Sequence, residues 1–90
     1  MVATNIIEGR KRLQRLLRAV RLEARLTQAE VARRVGQRQS YVSKAEQGER
    51  RLDLPQLAEL CDAIGIELDA FVRRYAEEGT GAGDGRAGDA

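Results

Sequence analysis

Three glycines cut this chain into short lengths. Gly36, Gly48 and Gly65 each follow an apolar pattern of helical period. A glycine in that place offers the left-handed conformation that ends a helix. With stops so close together, no helix in the middle of the chain can be long. Short helices must instead cross one another around a shared core.

The apolar residues draw the buried faces. Leu13, Leu16, Leu17, Val20 and Ala24 fall at i, i+3, i+4, i+7 and i+11, which predicts a first helix from about Gly9 to Ala24. Arg12, Arg15 and Arg18 point elsewhere. Thr27 with Glu30 three places on is a capping box, opening a second helix with Val31, Ala32 and Val35 on its buried side. A third helix is expected over Gln39 to Gln47, with Val42 and Ala45 apolar. After the polar connection Glu49 to Leu52, Asp53 caps a fourth helix that has Pro55 in its first turn and the stripe Leu57, Leu60, Cys61 and Ile64. Leu68, Phe71, Val72 and Tyr75 repeat the same spacing in a fifth.

The predicted fold class is therefore all-α, one domain over residues 10–78, since a chain of 90 residues supports a single core. Residues 1–9 are expected to form an unordered arm. Residues 79–90 are expected to be a flexible tail, because Gly, Ala, Asp, Thr and one Arg give that stretch nothing to bury. Ile7-Glu8-Gly9-Arg10 matches the recognition tetrapeptide of a processing protease, and it reads equally well as native sequence.

Several classes of function are disfavoured at once. The only aromatic residues are Tyr41, Phe71 and Tyr75, so the core is aliphatic, which suits helices better than a sheet. No apolar run is long enough for a membrane span, and the first ten residues lack the pattern of a secretion signal, so a cytoplasmic protein is expected. A lone Cys61 and no histidine leave no internal disulfide and no ordinary zinc site, so neither metal nor cofactor is expected. Cys61 itself sits on an apolar stripe and reads as a small core residue. An enzyme is disfavoured too: there is no histidine base, no exposed cysteine nucleophile and no Gly-rich phosphate loop.

Charge is distributed unevenly. Residues 10–51 hold 13 Lys or Arg against 4 acids, a local +9, whereas residues 52–90 hold 3 against 9, a local −6. Such a basic half is either a polyanion-binding face or a solvated, Arg-rich surface, and composition does not choose between them. The two short helices around Gly36 do. A two-turn helix followed by a tight turn and another short helix makes sense when the second projects into a groove and the first braces it. The projecting helix exposes Gln39, Ser40, Ser43, Lys44 and Gln47. Gln can pair in two-point fashion with adenine, Lys with guanine, and Ser with base edges or phosphate. Glu46 is its only acid.

The run Leu26-Thr27-Gln28-Ala29-Glu30-Val31-Ala32, then Gly36, then Ser40-Tyr41-Val42-Ser43-Lys44-Ala45-Glu46-Gln47-Gly48, then the Leu57–Ile66 helix, resembles the Cro and phage-repressor (Xre) helix-turn-helix family. The resemblance spans about Leu16 to Tyr75. It implies a five-helix, lambda-repressor-like domain with its reading unit at about 27–48, bound to double-stranded DNA. It implies base contacts from Arg38, Gln39, Ser40 and Lys44, and backbone contacts from Gln28, Ser43 and Gln47. It also implies an Arg21–Glu46 pair locking the first helix to the third. Arg38 departs from the family, which often has a capping Ser or Thr there; Arg cannot cap that way. Arg50 and Arg51 follow the reading helix, where phosphate contact is expected. Tyr41 either reaches the backbone or packs on the second helix. The Leu68, Phe71, Val72 and Tyr75 stripe reads as core or dimer contact, and a homodimer on an inverted-repeat operator is expected, with Phe71, Val72 or Tyr75 at the contact. The regulator is expected to act as a repressor. The rival reading is the antitoxin of a toxin–antitoxin pair, which would add a protein partner.

Overall fold

The computed structural model describes residues 2–81, with side chains described for 6–78. It contains α1 (Val2–Glu23), α2 (Gln28–Arg34), α3 (Gln39–Gln47), α4 (Leu54–Ile64) and α5 (Leu68–Gly81), and no strand among the described residues. The five-helix, all-α expectation is met. No helix is long and apolar enough to cross a membrane.

The turns follow the glycines. Beyond α2, α3 and α4, Gly36, Gly48 and Gly65 adopt φ of 72°, 82° and 98°. In each case the next amide reaches back five residues, as in Gln37 to the Ala32 carbonyl at 2.9 Å and Glu49 to that of Lys44 at 2.9 Å. The end of α1 uses the same motif without a glycine. There Arg25 takes the left-handed conformation at φ 62°, with Leu26 bonded back to the Arg21 carbonyl at 3.1 Å. This early stop leaves Ala24 exposed instead of at the end of the buried stripe. The helix starts are capped as expected. Thr27 and Glu30 form a reciprocal box, and Asp53 forms another with Gln56.

One core joins all five helices. Leu16, Leu17 and Val20 of α1 enter it from one side, and Val31 and Ala32 of α2 with Val42 and Ala45 of α3 from another. Leu60, Cys61 and Ile64 of α4 and Phe71 of α5 close it. The Leu, Val, Ile and Phe side chains among them stabilise the fold by about 1.5–3 kcal/mol each through removal from water. The α2–α3 pair rests on α1 through α3 and on α4 through α2, so the other helices brace the pair. Arg34 helps at the second junction, donating to the Ala63 carbonyl in the last turn of α4 at 2.7 Å.

Three expectations need correction. The first concerns the arm: α1 begins at Val2, so residues 2–9 are helical. Their anchor is α5, where the Tyr75 hydroxyl donates to the Gly9 carbonyl at 3.1 Å and the Arg12 guanidinium lies 4.7 Å over the ring. A Cβ on residue 9 would stand 2.7 Å from the Tyr75 hydroxyl oxygen, so a poor helix former is kept for a tertiary contact. The Ile7–Arg10 tetrapeptide is thus part of a packed helix. The second concerns the dimer contact: Phe71 is 1% exposed and belongs to the core of its own chain, and Tyr75 is occupied by α1. Of the three residues named for that contact, Val72 is the open one, at 46%. The third concerns the tail: α5 continues to Gly81, and residues 82–90 lie outside the described residues.

Candidate nucleic-acid interface

The site is built outward from a buried ion pair. Arg21, near the end of α1, donates from Nε to Glu46 Oε2 at 2.6 Å and from Nη2 to Oε1 at 3.0 Å. Its Nη1 donates to the Leu26 carbonyl at 2.8 Å, so the guanidinium also holds the turn that leads into α2. Both side chains are almost wholly out of water. Planar two-point pairing of this kind fixes orientation as well as distance. It ties α1 to α3, as the resemblance implied.

Glu46 extends the chain of bonds to the surface. Gln28, the first residue of α2, donates its side-chain amide to Glu46 Oε1 at 3.0 Å. The Gln28 side-chain oxygen Oε1 in turn accepts from Gln39 Nε2, at the start of α3, at 2.8 Å. Gln39 therefore keeps its own amide oxygen and one N–H free, the pair needed for two-point recognition of a base edge. The Gln28–Gln39 bond was not foreseen in the sequence, although two glutamines opening consecutive helices were the available signal.

Arg38, Gln39, Ser40 and Lys44 are all exposed on α3 or its cap, with Gln47 exposed and Ser43 half-buried further along. Arg38 is the N-cap residue, and no side chain caps α3; the Tyr41 amide bonds the Arg38 carbonyl at 2.9 Å. Arg50 and Arg51 stand exposed in the connection after α3. Tyr41 resolves differently. It is 9% exposed, part of the core, and lies under Arg50 at 4.7 Å, so its ring packs within the domain. Of the two readings of Tyr41, the structure carries the packed one, with the ring shelving Arg50. The α3 surface carries no free acid, because its one carboxylate is buried against Arg21 and Gln28. Among the described residues no group of metal-ligating side chains gathers.

The helix-turn-helix family model matches residues 17–71. An XRE-family-like protein from Pseudomonas syringae pv. tomato str. DC3000 is 35% identical and superposes with a TM-score of 0.78, over 89% of this chain and all of that one. Two mutants of the restriction-modification controller protein C.Esp1396I are 18% identical with TM-scores of 0.73. They cover 78% of this chain and 91% and 89% of their own, and they bear on the fold alone. Among curated proteins none matches. The chain belongs to the Xre-like helix-turn-helix family of DNA-binding transcription regulators.

Proposed function

We propose that this protein is a sequence-specific repressor that inserts α3 into the major groove of an inverted-repeat operator. The observation that carries the reading is the bond chain Arg21–Glu46–Gln28–Gln39, which starts in the core and ends on an exposed, base-reading amide. A surface glutamine with no task needs no such support. Gln39 and Lys44, with Ser40 and Arg38, take the base edges. Ser43, Gln47, Arg50 and Arg51, with the remaining amide hydrogen of Gln28, take phosphates, which position the helix without reading sequence. Repression then follows from occupancy, as a domain seated on a promoter excludes other proteins from it.

One short helix reads few base pairs, so the proposal includes a homodimer whose two reading helices lie about 34–36 Å apart, one turn of DNA. Its surface is the apolar cleft of about 510 Å³ between α1 and α5, bordered by Ile6, Leu13, Leu57 and Val72. Ile6 and Val72 are 55% and 46% exposed there, which suits a contact with a second copy. Duplex binding measured across a several-fold range of salt tests the DNA reading. With +9 over residues 10–51, affinity is expected to fall steeply as salt rises. Affinity that stays level contradicts it.

A further inference from the structure

The extension of α1 places a second group of cations beside the reading unit. Ile7, Arg10, Lys11 and Gln14 recur at i, i+3, i+4 and i+7 along one face of α1. On another side, Tyr75 grips Gly9 and Arg12, which fixes the rotation of the helix. The cationic face is thereby turned to the connection after α3, and contact there is close: a Cβ on Gly48 would collide with the Gln14 side-chain amide. Between the two elements lies a hollow of about 520 Å³, bordered by Arg10, Lys11 and Gln14 from α1, by Gln47 at the end of α3 and by Arg50 and Arg51 of the connection that follows.

No carboxylate lines this hollow. Among the described residues, none of its four cations is in an ion pair, whereas Arg21 and Arg74 each have a carboxylate partner. Arg50 is held at the rim by the Tyr41 ring. Leu13 and Leu52 form part of the wall, and apolar walls around charges of one sign concentrate the field in the space between them. Four like charges converging without an acid repel one another in the free protein, and an anion relieves that repulsion. The source of the anion follows from position. Gln47 belongs both to the hollow and to the exposed row of α3, so a duplex engaged by α3 brings its backbone to the mouth of the hollow.

We infer that the first turns of α1 and the connection after α3 form a phosphate-binding site for the duplex backbone bordering the groove that α3 reads, with Arg10 and Lys11 as its contacts. This rests on the DNA-binding reading above and adds to it a part of the chain outside the matched residues 17–71. A site of this kind strengthens binding to every sequence alike, because phosphates carry no base identity.

The test is the salt dependence of duplex binding by the double variant Arg10→Ala/Lys11→Ala, on the preferred operator and on an unrelated duplex. Both side chains are exposed, so circular dichroism and thermal unfolding are expected to match the parent. Affinity is expected to weaken by a similar factor on both duplexes, and the slope of log affinity against log salt to become shallower by about 2 for each bound protomer, hence about 4 for the dimer on its operator. Arg73→Ala, on the exposed side of α5, serves as the charge control and is expected to keep the parental slope. Charge reversal at the same two positions is expected to weaken binding further. A double variant with parental slope and affinity, beside a parent that binds duplex in a salt-dependent way, overturns this site alone. A parent that binds no duplex overturns the DNA reading and this site with it.

Discussion

Glu46 accepts three hydrogen bonds, two from Arg21 and one from Gln28, and this one carboxylate sets the geometry of the reading surface. Removing either member of the pair leaves the other buried and unpaired. Arg21→Ala and Glu46→Ala are each expected to lower stability by about 3–5 kcal/mol. The double variant is expected to lose less than their sum in denaturant unfolding, and strict additivity would show that the two side chains do not act together. Cys61 offers a second check. Burial pushes its thiol up to about 11, so the neutral form is held across the physiological range. The ordinary value of this group is 9.0. The stabilisation is therefore complete below that value and is lost as pH rises from there to about 11. The parent is expected to lose stability across that window more steeply than Cys61→Ala does. Equal slopes would mean that the thiol is not shielded.

At the scale of helices, the start of α3 is the element whose cap does not follow the general preference. Its N-cap is Arg38, with no side-chain bond to the helix, although α2 and α4 both begin in reciprocal boxes. Arg38→Ser is expected to raise stability by about 1 kcal/mol through capping and to weaken DNA binding through the lost cation. A variant that gains stability and binds as tightly as the parent would remove Arg38 from the interface. The helices themselves were largely legible from local chemistry: Thr27 with Glu30, Asp53, and the glycines at 36, 48 and 65 set their ends through bonds that span a few residues. The start of α1 was not, because its anchor is Tyr75, sixty-six residues away, acting on a glycine that locally reads as a break. Arg25 was illegible for a related reason. Its left-handed φ is the conformation glycine favours, imposed here on an arginine by the turn that Arg21 secures. The exposure of the polar row Gln39, Ser40, Lys44 and Gln47 on α3 was legible in the sequence. Spacing put Phe71 on an apolar stripe and left Tyr41 between two readings; that Phe71 faces the core of its own chain and Tyr41 packs inward depends on how whole helices meet.

At the scale of the molecule, cations gather around α3 and the adjoining face of α1, while the C-terminal half from residue 52 carries a local −6. On the proposed reading, that polarity would orient the domain on a polyanion with the α5 end away from it. If two copies meet across the α1–α5 cleft, Val72→Glu is expected to abolish the dimer on a two-half-site operator and leave the helical content intact, because Val72 is exposed in the single chain. A folded Val72→Glu that still binds the operator as a dimer with parental affinity places the contact elsewhere. The claim that α3 reads base sequence is tested most directly by selecting preferred duplexes from a random pool with the parent, Gln39→Ala and Lys44→Ala. The parent is expected to return one inverted repeat. Each variant is expected to lose preference at its own position in both half-sites, costing about 1–3 kcal/mol there, with little change in binding to unrelated sequence. A parent that returns no preferred sequence, or variants that return the parental sequence unchanged, would contradict it.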